Sequence, residues 1–187
     1  MREYLLKIIN HRNNYMSEFS TKTEEFFSSI MNKNNILCSK VPENKIDKVP
    51  DFLCKFDKYK VVFELKDLNE SGTTVNLMSN MIVRKNTIES TICRFIEGAS
   101  RKFLNKEYIS CDSALVITNL RLQVPFQNIM TQVQSTIINK LSEYPQIGNL
   151  IITGYNNKIL AFHIFENKNS KRIIKKDFFN NLNHKYY

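Results

Sequence analysis

From Pro50 to Lys66 apolar and polar positions alternate with a period of two, and the alternation is mirrored about Asp57-Lys58. That pattern predicts a β-hairpin. With the turn at Asp57-Lys58, Phe56 faces Tyr59, and the same register sets Phe52 against Phe63 and Asp51 against Glu64. Side chains alternate across a strand, so Phe52, Cys54, Phe56, Tyr59, Val61, Phe63 and Leu65 share one apolar face. The other face carries Asp51, Leu53, Lys55, Lys60, Val62, Glu64 and Lys66, with two carboxylates and an ammonium gathered at one end.

Helical spacing appears elsewhere. Tyr15, Met16, Phe19, Thr23, Phe26, Phe27, Ile30 and Met31 form one stripe, predicting a helix over 15–32. Thr21-x-x-Glu24 also reads as a capping box that would start this helix later. Ile36–Ser39 reads as a strand ahead of the hairpin. After Lys66 the chain is polar and turn-prone, and the segment through Asn86 follows no template; a loop so near the hairpin could close over a substrate. Thr87 caps a helix with Ile88, Ile92, Phe95, Ile96, Ala99 and Phe103 inward. Ala114–Thr118 has the β-branched character of a strand buried on both faces. Pro125 opens a helix with Ile129, Val133, Ile137 and Leu141 inward. Leu150–Thr153 and Ile159–Phe165 are strands joined through Asn156-Asn157. The order is helix, three strands, helix, strand, helix and a two-stranded extension: an α/β chain with mixed strand directions. No internal repeat or boundary interrupts it, so residues 1–187 read as one domain.

Composition narrows the partners. The net charge of +9 and pI near 9.4 favour an anionic partner, nucleic acid first and acidic membrane second. Residues 158–187 hold seven Lys/Arg against Glu166 and Asp177, so from about residue 166 the chain reads as a basic tail. That tail reads as mobile or docked; its Phe178, Phe179, Tyr186 and Tyr187 suit a docked helix or a stacking surface, with docking favoured of those two. No apolar run approaches the roughly 20 residues that span a bilayer, and the opening residues lack a signal-peptide cleavage site. The expectation is an intracellular, cytoplasmic protein with no membrane partner. Cys38, Cys54, Cys93 and Cys111 are scattered, which argues against zinc and for reduced, packed thiols. No Gly-rich phosphate loop, His-Glu-x-x-His or Gly-x-Ser-x-Gly is present.

The hairpin holds the candidate chemistry. Carboxylates facing each other on neighbouring strands repel unless a cation offsets them. Hard oxygen ligands suit Mg²⁺ or Mn²⁺. Lys66, two residues beyond Glu64 on the same face, is placed to hold a phosphate or an attacking water, the apparatus of metal-assisted phosphodiester hydrolysis.

Pro50-Asp51 and Glu64-Leu65-Lys66 on consecutive strands resemble the signature of the PD-(D/E)xK nuclease superfamily. In order of elements the resemblance covers about residues 15–165, but only the three hairpin positions are motif-specific. It implies a restriction-endonuclease-like fold: a three-layer sandwich with a mixed central sheet on an αβββαβ core. It also implies a metal-dependent endo- or exonuclease, with DNA placed ahead of RNA. Asp51 and Glu64 would bind the metal, joined by the Leu65 backbone carbonyl, and Lys66 would serve the water or phosphate. Family members often draw another acid from the preceding helix; Glu24 is the candidate here, with Glu18 behind it. Arg84 and Lys85, ending the unassigned segment, and Arg94, Arg101 and Lys102, on the outer face of the following helix, are the candidate nucleic-acid contacts. Related folds often dimerise to cut both strands, which leaves a homodimer open. Two alternatives stand. One is a non-catalytic nucleic-acid-binding or assembly module on the same fold. The other is a viral cap-snatching-type RNA endonuclease, whose added helix histidine would fall to His11, in a polar break with no clear route to the hairpin.

Overall fold

The computed structural model describes residues 21–43, 47–56, 59–68, 73–76, 81–84, 87–119, 126–156 and 159–183. Helix α1 (Lys22–Lys33) precedes strands β1 (Leu37–Lys40), β2 (Phe52–Phe56) and β3 (Tyr59–Asp67). Strands β4 (Thr73–Asn76) and β5 (Met81–Arg84), helix α2 (Ile88–Phe103) and strand β6 (Asp112–Asn119) follow. Helix α3 (Phe126–Ser142), strands β7 (Asn149–Asn156) and β8 (Ile159–Glu166) and helix α4 (Lys176–Asn183) complete the order.

Six strands make one mixed sheet in the order β1-β2-β3-β6-β7-β8. Strands β3, β6 and β7 run parallel, and their neighbours on either side run antiparallel. The β2–β3 register runs from Phe56 opposite Tyr59 to Phe52 opposite Phe63, as the alternation predicts. Its turn residues, Asp57 and Lys58, lie outside the described residues. Strand β6 is buried almost throughout, because a central parallel strand has helices on both faces.

The two faces hold separate cores. On one, Phe27 of α1, Phe52 and Phe63 of the hairpin and Phe178 of α4 stack with ring centroids 5.0–5.8 Å apart. On the other, Val62, Leu115 and Ile117 meet Ile92, Ile96 and Phe103 of α2 and Val133 and Ile137 of α3. The second hairpin face is therefore covered as well, and the charges at its end sit beside a packed core.

Helix α1 takes the later start. Thr21 caps it, accepting from the Glu24 N–H at 3.2 Å while the Glu24 carboxylate accepts from the Thr21 N–H. Residues 15–20 of the longer stripe lie outside the described residues. The segment through Asn86 that matched no template contains β4 and β5, a separate two-stranded antiparallel sheet. Strands of four residues are too short for alternation to stand out. In the basic C-terminal region, Phe178 and Phe179 are buried against the sheet, while Tyr186 and Tyr187 lie outside the described residues.

One expectation is corrected. The register sets Cys38 of β1 opposite Cys54 of β2, and the two form a disulfide, leaving Cys93 and Cys111 free. Sixteen residues separate the bonded pair in sequence, which hid it. Thiol titration of the denatured, unreduced protein is expected to find two thiols, and four after reduction. Reduction, or Cys38→Ser, is expected to lower unfolding stability by about 2–4 kcal/mol in urea melts, the usual effect of opening a loop of this length. An unchanged midpoint would mean that β1 is held by the ladder alone.

Candidate functional site

Proline has no N–H to donate, so Pro50 stops β2 from extending. Asp51 lies just before the strand and is held by its backbone on both sides. Its N–H donates to the Phe63 carbonyl at 3.0 Å, and its own carbonyl accepts from the Val41 N–H at 2.9 Å. The ladder thus ends at Phe52 opposite Phe63, one pair short of the direct Asp51–Glu64 pairing expected from the sequence. The carboxylate completes the edge instead: Asp51 Oδ2 accepts from the Leu65 N–H at 2.7 Å. A side chain supplies the acceptor that the next strand residue would have offered, which aims Asp51 along β3 toward Glu64.

Glu64 is completely shielded, with 0 % of its side chain exposed. Two ammonium groups meet it, one on each oxygen. Lys66 Nζ lies 2.5 Å from Oε1, reaching back two residues along the same strand face. Lys102 Nζ, from the last turn of α2, lies 2.8 Å from Oε2 and 3.1 Å from Asp51 Oδ1, so one ammonium bridges both acids. The Lys102 ammonium is the partner that the structure gives to the buried Oε2. Lys66 and Lys102 are 30 % and 25 % exposed, so the cluster opens to solvent on the lysine side.

The backbone around these groups is tied down. Arg172 donates to the carbonyls of Phe103, Tyr108 and Cys111 at 2.6–2.9 Å, clamping the end of α2 where Lys102 sits. Thr118 on β6 donates from Oγ1 to the Lys66 carbonyl at 3.3 Å, and its hydroxyl also meets that of Thr23 at 3.0 Å. The chain crossing at Gly148 is as close: a Cβ there would fall 1.8 Å from the Arg172 carbonyl oxygen, so only glycine lets the segment carrying Arg172 pass.

Charge and burial pull in opposite directions. Burial, followed by the neighbouring Asp51 charge, raises the Glu64 pKa from 4.5 to about 7, even though Lys66 and Lys102 act to lower it. Burial alone would lower the Lys102 pKa, but Glu64 and Asp51 outweigh it and raise the group above its ordinary value. The pair is an acid close to half-protonated near neutrality beside an ammonium held firmly charged.

Compared with known proteins, the chain matches no family model, no curated protein and no solved structure.

The structure brings Asp51, Glu64, Leu65 and Lys66 together, while the Glu24 carboxylate is engaged by other partners. Glu24 serves the α1 capping box and pairs with Lys40 at 3.0 Å. Lys40 lies opposite Phe52, so its side chain falls on the α1 face of the sheet, whereas Glu64 faces α2. Among the described residues no group of three or more His, Cys, Asp or Glu is gathered as metal ligands would be.

Lys102 is the second correction. The sequence reading set it on the outer face of α2 with Arg94 and Arg101; it turns inward to the acids, while Arg94 and Arg101 are both exposed. Its nearness to Phe103, an inward position of the same stripe, was the available sign. A long side chain one residue from the buried face can run along the core and place its amine at the edge. Arg84 ends β5, where only the backbone is described; Lys85, His11 and Glu18 lie outside the described residues.

The folded protein keeps the Glu64 proton up to about pH 7, whereas an unfolded glutamate releases it near 4.5. Stability of the metal-free protein is therefore expected to fall as pH rises between those values, by up to about 3 kcal/mol from this residue. Urea melts of wild type and Glu64→Gln across pH 4.5–7.5 check this: the variant should lose that part of the slope. Parallel curves would assign the pH dependence to other groups.

Proposed function

We propose that this chain is a Mg²⁺- or Mn²⁺-dependent nuclease of the PD-(D/E)xK superfamily, with a restriction-endonuclease-like three-layer fold and DNA ahead of RNA as substrate. The observation that carries the reading is the convergence of Asp51, Glu64 and Lys66 at one end of the β2–β3 hairpin, beside a cation already drawn between the two acids. The mixed six-stranded sheet, with its run of helix, three antiparallel strands, helix and parallel strand, supports the αβββαβ assignment, with β4 and β5 as an insertion.

The donor set fits the metal. Asp51 Oδ1 and Glu64 Oε2 are hard anionic oxygens that converge on one cation, the Lys102 ammonium. Asp51 and Glu64 would hold the ion. The Leu65 carbonyl, on the same strand edge as the N–H bound to Asp51, would be a further ligand. The bound ion would supply Lewis-acid polarisation of the phosphoryl group and an acidified water. Lys66, largely sheltered yet open to solvent at its end, would orient that water or hold a phosphate oxygen. The charge of +9 supports a polyanionic substrate.

A non-catalytic nucleic-acid-binding module is the second reading. It is favoured by the Lys102 bridge, which offsets both acids without any metal. Labelled single- and double-stranded DNA and RNA, incubated with Mg²⁺, Mn²⁺ or EDTA, separate the two. Metal-dependent products support the nuclease; retention without products, weakened steeply by salt, supports the module. Asp51→Ala and Lys66→Ala are each expected to slow cleavage by at least about a hundred-fold, while their melting curves remain cooperative. Cleavage that survives both changes excludes the assignment. Calcium is expected to support binding with little turnover, because its looser coordination positions a water poorly.

A further inference from the structure

We propose that the Lys102 ammonium is the resident counter-cation of the Asp51–Glu64 pair, that a divalent cation binds only by displacing it, and that metal loading thereby turns Lys102 from the carboxylates toward a substrate phosphate. The inference rests on the metal-binding reading above and goes beyond it, giving the chain's metal-free state a defined occupant and a second lysine a defined task.

The argument begins with space. Lys102 Nζ sits 3.1 Å from Asp51 Oδ1 and 2.8 Å from Glu64 Oε2, between the two oxygens that would hold the ion. Magnesium–oxygen bonds measure about 2.0–2.1 Å. An ion bound at that length would sit closer to both oxygens than the ammonium nitrogen now does. The ammonium already fills the space in front of both oxygens, and a divalent cation brought into that gap would meet it at close range with like charge.

Charge gives the direction of the exchange. With both acids ionised, Asp51 and Glu64 are balanced by Lys66 and Lys102, so the cluster is neutral. Adding a divalent cation leaves it at +2, which favours a phosphodiester anion at the same mouth. Displacement thus couples metal loading to binding of a polyanion.

Motion is confined to the side chain. The end of α2 is clamped by the three Arg172 hydrogen bonds to Phe103, Tyr108 and Cys111, so the Lys102 backbone has no freedom to carry the ammonium away. Its four-carbon stem does. One quarter of the side chain is already exposed, which gives the ammonium a route outward on the side where Lys66 also emerges.

Direct metal binding tests this without relying on turnover. Calorimetric titration with Mn²⁺ should show Lys102→Met, which keeps the stem and removes the charge, binding at least about ten-fold more tightly than wild type. Lys102→Arg, which keeps the charge, should bind no more tightly than wild type. If removal of the buried counter-ion prevents Lys102→Met from folding, the wild-type protein decides the matter. Its lysines are labelled by reductive ¹³C-methylation, and the Lys102 resonance is assigned by its absence from Lys102→Arg. Mg²⁺ should then shift that resonance as the site fills. Mn²⁺ binding to wild type with no gain in folded Lys102→Met overturns this inference and leaves the metal reading standing; so does a Lys102 resonance unmoved at saturating Mg²⁺. No Mn²⁺ binding to either protein overturns both.

Discussion

Glu64 imposes the constraint on which the site depends. It occupies a central strand between β2 and β6, and helices cover both faces of the sheet, so its carboxylate has no water to turn to. An ionised group in that position needs partners of opposite charge placed within a few ångströms. The chain meets the requirement from two directions. Lys66 reaches back along the same strand, and Lys102 reaches in from α2. Asp51 then becomes tolerable beside a second acid because the Lys102 ammonium is shared. Each group is held by another part of the fold, so the cluster is a property of the whole sheet–helix packing.

The hairpin was readable because one physical rule produced several consequences at once. Period-two alternation gave the strands, the mirror point gave the register, and the register brought Asp51 near Glu64. The long helices and β6 were readable for a similar reason: their apolar periodicity was sustained over many residues. Legibility stopped where a feature depended on packing between distant elements. Lys102 belongs by its position to the polar side of α2, and only the placement of that helix over β3 turns the ammonium inward. Cys38 and Cys54 meet through the β1–β2 register, which no local pattern announces. Glu24 was assigned correctly to a capping box as one option, but its side of the sheet depends on how α1 lies. The final pair at Asp51 failed for a local reason: Pro50 ends the ladder, and the carboxylate takes over as the acceptor for Leu65.

Arg172 links these scales. It lies far from the hairpin in sequence, yet its guanidinium gathers three carbonyls at and just beyond the end of α2. The Phe103 carbonyl stands at the helix end, the Tyr108 carbonyl also accepts from the Cys111 N–H, and a planar group with several donors is suited to collect all three. The segment bearing Arg172 can pass there only because Gly148 has no side chain. A close backbone crossing thus fixes the helix end that carries Lys102, which in turn sets the cation between the acids.

The energetics also bear on why such a cluster exists. Buried ion pairs seldom stabilise a fold more than apolar residues of similar size would, because the desolvation of each charge offsets most of the attraction. The raised Glu64 pKa expresses that cost directly: burial outweighs two adjacent ammoniums and holds the acid near neutrality. A leucine or methionine at position 64 would pack against the Val62 side of the core without it. A merely structural role therefore gives a weak account of four ionisable side chains drawn together at the end of a hairpin. Exchange of the resident ammonium for a more highly charged cation gives a stronger one. On the proposed reading, incoming charge would convert the least favourable feature of the fold, a dehydrated acid pair, into binding energy, and the released ammonium would remain at the mouth to meet an anionic substrate.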